Sequence, residues 1–359
     1  MKITGVRVTP YACTPARVPA GRLASNGCVI ELETDAGLTG IAIGVDGARA
    51  QIELLVEGLL LGADPRGVTG IWRRMTDVQA ARRREGLLNT SIAVLDVALW
   101  DLKAKANEEP LWKTLGGTRP RANAHAGGVA LSSTDADLDT WYDSMARDHG
   151  LRGAKLPVGL DEDADIERLG LMRTALQRVT SDPVLIVDAQ QGWSPKQAIR
   201  RLRDMEEEFD VAWAEDVTRS WDFPGLKQVS NAIRGAVCVG EDLATVGEFL
   251  PHFHHRSVDV IQIDIGAVGI SGALELADAA YGFELPVTLC EAPGNIHAHL
   301  AGVMPYFMSL EVVDAVPAVP IYTTDVRIEE GWAVAGDTAG NGLVLNGAAL
   351  QKLAKRTLK

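Results

Sequence analysis

The sequence predicts an α/β protein: a (β/α)8 barrel of TIM type, with an N-terminal α+β capping domain that the C-terminal tail completes. Three observations lead there. Buried strand candidates end near His125, Lys155, Asp188, Glu215, Glu241, Asp264, Cys290 and Glu311, with helical stretches such as 164–179 and 195–209 between them. Their spacing is even: residues 125 to 311 cover 186 positions in seven steps, about 27 each, close to the roughly 30 of a βα unit in a barrel of ordinary size. Before residue 120 the pattern differs, with antiparallel strands followed by helices. The expected boundaries are therefore a capping domain over 1–120, a barrel over 121–324, and a tail over 325–359 that packs back on the capping domain.

In chain order, Met1 to Val8 alternates like a strand, and so does Cys28 to Thr34. Asp35-Ala-Gly37 supplies a hairpin turn, and Leu38 to Ile43 runs back. Between the first two strands, Thr14 to Ser25 is punctuated by proline and glycine and reads as a mobile loop. Residues 48–115 are helical in pattern and close on Gly116-Gly117. Within them, Ser91 to Lys105 is a densely apolar helix, expected to be a buried connector whose Asp96 and Asp101 cap or pair with arginines. The basic run Arg82-Arg-Arg84 reads as a solvated helix face with no assigned role. The tail carries short strands and a Gly340-Asn-Gly342 turn.

Composition narrows the partners. A net charge of −13 argues against nucleic acid or an anionic membrane surface. No apolar run reaches the roughly 20 residues of a membrane span. The N-terminus lacks a secretory apolar core, and four scattered cysteines (Cys13, Cys28, Cys238, Cys290) do not form a disulfide framework. A cytoplasmic protein is the expectation.

The chemistry sits at strand ends. Val184-Leu-Ile-Val-Asp188 is a buried strand delivering a carboxylate to its C-terminus, and Val211-Ala-Trp-Ala-Glu215 and Ala236-Val-Cys-Val-Gly-Glu241 repeat the design. In a parallel barrel those ends form the active-site face. Three carboxylates with no His or Cys beside them suit Mg²⁺, or Mn²⁺ as the alternative hard cation, and do not suit zinc. About three of six Mg²⁺ positions would stay open for water or a small-molecule carboxylate. Taken singly, each acid reads more readily as a helix cap or an arginine partner than as a ligand; three on consecutive strands favour the metal.

Five stretches carry a family resemblance over nearly the whole chain: Ala93-Val-Leu-Asp-Val-Ala-Leu-Trp-Asp-Leu-Lys-Ala-Lys105 with Leu115-Gly-Gly117, Val187-Asp-Ala-Gln190, Glu215-Asp216 and Gly240-Glu241. The sequence resembles the enolase superfamily, mandelate racemase/muconate lactonizing enzyme type. The resemblance implies that Asp188, Glu215 and Glu241 ligate Mg²⁺, that a base removes the α-proton of a bound carboxylate, and that an enediolate forms. It also implies a homo-oligomer, and a loop around Thr14 to Ser25, with Arg17 and Arg22, that closes over the barrel mouth.

The departures from the family pattern set the expected reaction. The second strand ends Lys155-Leu-Pro157 where the family has Lys-x-Lys, so Lys155 faces the site and the second lysine is missing. The sixth strand reads Gln262-Ile-Asp264, without the lysine that cycloisomerases and dipeptide epimerases of the family use. On the seventh, the family's histidine position falls on Cys290 counted from the strand and on Glu291 counted back from His299. His297 reads either as a base that swings inward or as part of the following helix, His299 as part of that helix, and Cys290 as a buried apolar filler. Glu311 matches an eighth-strand acid that contacts substrate. A dehydration needs acid and base on one face only, so the expectation is a Mg²⁺-dependent dehydratase (a hydro-lyase) of a sugar acid. Lys155 would be base or carboxylate polariser, and Asp264 with His297, or a group near Cys290, would complete the set. A racemase or epimerase of a 2-hydroxy acid, and a non-catalytic carboxylate-binding protein on the same scaffold, are the alternatives.

Overall fold

A computed structural model describes residues 1–12, 27–81, 87–159, 161–313 and 321–357. The Thr14–Ser25 loop with Arg17 and Arg22, and the Arg82–Arg84 run, lie outside the described residues.

The chain opens with an antiparallel sheet of β1 (Ile3–Tyr11), β2 (Gly27–Thr34) and β3 (Thr39–Val45). Next come α1 (Arg49–Leu55), which runs into a π-helical turn (Val56–Leu60), α2 (Val68–Ala81), α3 (Leu88–Ala106) and α4 (Leu111–Thr114). The connector reading of α3 holds. It is apolar on almost every side because it packs against β3 on one flank and a barrel helix on the other. Its acids are satisfied, though not by arginines. Asp101 accepts from the backbone N–H of Ile41 at 2.7 Å and of Asn341 at 2.8 Å, and from Lys105 Nζ at 2.6 Å. One buried carboxylate thus ties the sheet, the helix and the C-terminal tail together. Asp96 accepts from the backbone N–H and the hydroxyl of Ser271, both at 2.7 Å.

The barrel alternates β4 (Arg121–Ala126), α5 (Asp135–His149), β5 (Gly153–Pro157), α6 (Glu162–Leu176), β6 (Val184–Asp188), α7 (Pro195–Glu208), β7 (Val211–Glu215), α8 (Phe223–Ser230), β8 (Ala236–Val239), α9 (Val246–His255), β9 (Val260–Ile263), α10 (Ile265–Gly282), β10 (Val287–Leu289), a 3₁₀ helix (Pro293–His299) and β11 (Phe307–Val312). The eight strands pair in parallel in chain order, and β11 closes on β4 through Leu310↔Ala124, Glu311↔His125 and Val312↔Ala126. Closure puts β4 across from β8, β5 from β9, β6 from β10 and β7 from β11. Short runs of Val, Ile, Leu and Ala form these strands because both faces are buried. Ile186, Trp213, Cys238 and Val260 form a separate apolar cluster on β6 to β9. Side-chain caps start the helices, as Asp161 does for α6 and Asp222 for α8.

The tail forms β12 (Tyr322–Thr323), β13 (Arg327–Glu329), β14 (Trp332–Val334), β15 (Val344–Leu345) and α11 (Gly347–Thr357). The β13–β14 hairpin pairs antiparallel with β4. α11 lies against β1, and Asn341 Nδ2 donates to the Ile41 carbonyl at 2.9 Å. Among the described residues no helix is long and apolar enough to cross a membrane.

Candidate active site

A cavity of about 520 Å³ opens at the C-terminal ends of the barrel strands. Lys155 from β5, Asp188 from β6, Glu241 after β8, Cys290 and Glu291 after β10, and Glu311 from β11 line it. The backbone-rich segment 128–132 after β4 supplies a further wall. Arg168 on α6, almost wholly buried, holds that segment by donating to the carbonyls of Leu131 and Ser133.

Lys155 is the electrostatic centre of the cavity. Its ammonium donates to Glu215 Oε2 and to Glu311 Oε2, each at 2.9 Å, and lies 3.9 Å from Asp188 Oδ2. Burial works against that charge, but Glu215 and Glu311, then Asp188 and Glu241, outweigh it and hold Lys155 well above the ordinary lysine range. Tyr142 steadies the strand from behind, its hydroxyl donating to the Lys155 carbonyl at 2.7 Å. Glu215 is 1% exposed and accepts two more bonds, from Trp213 Nε1 at 2.9 Å and Gln262 Nε2 at 2.9 Å. Neither Trp213 nor Gln262 was singled out as a Glu215 partner by sequence reasoning. For Trp213 the signal existed, since it precedes Glu215 by two residues and period-2 alternation puts both inside the barrel.

Negative charge exceeds positive charge here. Burial lifts Asp188 to about 6, Glu241 to about 7 and Asp216 to about 8, with neighbouring carboxylates adding to the rise in each case. Asp216 stands in a left-handed backbone conformation (φ 45°), and its buried Oδ1 has no hydrogen-bond partner. Among the described residues no three His, Cys, Asp or Glu side chains are gathered closely enough to enclose an ion, and Lys155 stands within ion-pair distance of Asp188, Glu215 and Glu311. The donor set nevertheless fits a hard divalent cation. It is all oxygen, it lies on three adjacent strands, and its charge is under-compensated by one lysine.

The remaining candidates separate into two groups. Glu311 belongs to the cavity, and its seat is shaped by Gly127, where any Cβ would run into the Glu311 carboxylate. Cys290 lines the wall, and burial pushes its thiol well above the usual range. Asp264 N-caps α10, Oδ1 accepting the Gly266 N–H at 2.7 Å, and burial, then the charge of Glu291, raise it to about 6. His297 is not brought to the cavity. It is fully buried in the 3₁₀ helix with Nε2 3.0 Å from the Glu311 carbonyl, and burial lowers it to about 4. A neutral ring donating from Nε2 supports the β11 backbone, so of the two readings of His297 the geometry matches the one that leaves it within the helix. His299 is likewise internal, its Nδ1 accepting the Trp112 N–H at 3.2 Å.

Family models bear on this geometry directly. Residues 3–116 match the mandelate racemase/muconate lactonizing enzyme N-terminal domain, and residues 138–349 the enolase C-terminal domain-like model. The chain belongs to the enolase superfamily, mandelate racemase/muconate lactonizing enzyme type. Among its superfamily relatives, L-talarate/galactarate dehydratase of Salmonella typhimurium is 31% identical over 80% of this chain and 71% of its own length. The 3,6-anhydro-alpha-L-galactonate cycloisomerase of Streptomyces coelicolor is 30% identical over 90% of each chain. The solved L-talarate dehydratase of Polaromonas sp. JS666, complexed with Mg and L-glucarate, superposes with a TM-score of 0.83 at 26% identity, covering 98% of this chain and 97% of that one.

Proposed function

We propose that this superfamily member is a Mg²⁺-dependent dehydratase that removes water from a sugar acid to give a 2-keto-3-deoxy acid. The observation that carries the reading is the bonding of Lys155. Its ammonium is tied to two carboxylates and acts as a fixed cation, a charge that stabilises a substrate carboxylate as it becomes an enediolate. That leaves proton transfer to the side of the cavity formed by the sixth- and seventh-strand ends, β9 and β10. A racemase or epimerase needs acid/base groups on both faces of the α-carbon, whereas an elimination is served by one face.

Asp188, Glu215 and Glu241 would hold the cation, which when bound supplies Lewis-acid polarisation of the substrate carboxylate. Trp213 and Gln262 fix the orientation of Glu215, as outer partners of a ligand do. The acid-sugar dehydratases among the relatives, one of them solved with Mg and L-glucarate, support the same substrate class and metal. The protein should be incubated with a panel of aldonic and aldaric acids plus MgCl₂, and 2-keto product assayed with semicarbazide. Product on at least one acid, abolished by EDTA, is expected. If no acid yields 2-keto product while solvent deuterium enters an α-position, the protein is a racemase or epimerase. Metal-dependent binding with neither signal would mark a carboxylate-binding protein.

A further inference from the structure

The seventh strand of this barrel carries no histidine that reaches the cavity, so the group that moves the proton must be found among the residues that do. Among the described residues three titratable side chains stand at the ends of β9 and β10: Asp264, which does not line the cavity, and Cys290 and Glu291, which do. Asp264 is committed to capping α10, and Cys290 is a neutral buried thiol. Glu291 lines the cavity and is exposed at its mouth, open to proton exchange with water. β10 lies across the barrel from β6, so Glu291 faces the Asp188 side where the substrate carboxylate would be held.

The backbone around Glu291 is braced. Asn295 N–H donates to the Ala292 carbonyl at 2.9 Å, and Thr324 Oγ1 donates to the Gly294 carbonyl at 2.8 Å. Gly294 takes a left-handed φ of 65°, and a Cβ there would meet Leu343. The tail thus pins the turn that presents Glu291, and the neighbouring Asp264 feels its charge. A proton-transfer group has to be held in this way to keep its geometry.

Resting on the dehydratase reading above, we infer that Glu291 is the acid/base residue of this site and serves both half-steps on one face of the substrate. Its carboxylate takes the α-proton, and the C–H electron pair passes into the enediolate that Lys155 faces. The resulting carboxyl group returns that proton to the β-hydroxyl as the C–O bond breaks with its pair on oxygen. Water leaves, Glu291 is again a carboxylate, and the enol ketonises by exchanging a proton with solvent. Nothing is oxidised or reduced, and the net change is loss of one water.

The test compares wild type with Glu291→Gln, Cys290→Ser and His297→Gln in the presence of Mg²⁺ and the aldonic and aldaric acid panel. Deuterium entry at the α-carbon from D₂O is read by NMR alongside 2-keto product. Glu291→Gln is expected to lose both signals by about 10²–10⁴-fold, with KM for the acid changed little and the acidic limb of the pH–rate profile abolished. His297→Gln, outside the cavity, is expected to keep kcat within about tenfold, and Cys290→Ser to leave the acidic limb of the pH–rate profile in place. If wild type exchanges the α-proton without dehydrating and Glu291→Gln stops the exchange, the dehydratase reading fails while Glu291 stands as the proton-transfer group. If Glu291→Gln keeps kcat and exchange within a few-fold of wild type, or wild type shows neither signal on any acid, the assignment of Glu291 is overturned.

Discussion

Replacing Lys155 with methionine is the sharpest perturbation of this site, because one side chain neutralises several carboxylates. Methionine keeps the length and volume of the stem and removes only the ammonium. Glu215 and Glu311 then each lose a 2.9 Å charge-assisted hydrogen bond, and Asp188 loses a cation 3.9 Å away. Glu215 retains its bonds from Trp213 and Gln262, so it is not left bare. Removing one partner of a buried ion pair costs about 3–5 kcal/mol, because the remaining charge stays buried without its counterion. For a chain of 359 residues, an unfolding entropy of roughly 2.1 cal/mol/K per residue totals about 0.75 kcal/mol/K, which converts that loss to about 4–7 °C in Tm. The assay is differential scanning calorimetry in EDTA and again in saturating MgCl₂. Lys155→Met is expected to lose those degrees in EDTA and to recover a larger share of them with Mg²⁺ than wild type gains. Turnover in MgCl₂ should fall about 10²–10³-fold, since a fixed positive charge beside the developing enediolate is missing. A Tm within about 1 °C of wild type in EDTA would refute the reasoning, because it would mean the carboxylates need no cation.

Other expectations follow from the same geometry. Gln262→Leu removes one donor to Glu215 and also the Gln262 Oε1, which has no partner. Stability should therefore change by less than about 1 kcal/mol while Mg²⁺ affinity, measured by calorimetric titration, weakens about 10–100-fold. Gly127→Ala drives a methyl group into the seat of Glu311, which should cost about 1–3 kcal/mol in urea denaturation and lower kcat with it. Stability in EDTA should also depend on pH from two directions. The carboxyls of Asp96, Glu241 and Asp216, raised to about 7, 7 and 8, bind protons in the folded chain that the unfolded chain has already released. Their contribution is full below about pH 4 and is lost as pH rises through 7 to 8. His125, His252, His297 and His299, lowered to about 4 by burial, act oppositely, and stability falls as pH drops from about 6.5 toward 4. Tm scans should peak near about pH 6, and Mg²⁺ should flatten the alkaline fall while leaving the acidic one; a Tm that rises between about pH 7 and pH 8 in EDTA would contradict the charge excess.

Much of this was legible in the sequence because strands and acids leave a regular signature. The even spacing of apolar runs ending in polar residues located all eight barrel strands, and each candidate strand end lies within two residues of an observed one. Parallel strands buried on both faces cannot hide their composition. Asp96 and Asp101 were read as helix caps or arginine partners, whereas Asp96 accepts from Ser271 and Asp101 from Ile41, Asn341 and Lys105. Those partners lie as far as 240 residues away, beyond any local pattern. The proton-transfer half of the site stayed open for a related reason. At Cys290, Glu291 and His297 a one-residue difference in counting decides which side chain enters the barrel, and only the path of the 3₁₀ helix resolves it. That helix turns His297 against the Glu311 carbonyl and leaves Cys290 and Glu291 on the cavity wall. Gln262 was equally hard to see, since an amide beside a strand-end acid has no signature until β9 is placed two strands from β7.

The central claim is that Asp188, Glu215 and Glu241 together hold one divalent cation at the barrel mouth. Titration of the metal-free protein with Mn²⁺, followed by electron paramagnetic resonance and competed with Mg²⁺, tests it most directly. One tight site per chain, displaced by Mg²⁺, is expected in wild type. Asp188→Asn and Glu241→Gln should each weaken that site by more than about 10-fold, with the fold intact by circular dichroism. Unchanged Mn²⁺ binding in both variants would place the metal elsewhere and refute the three-carboxylate site.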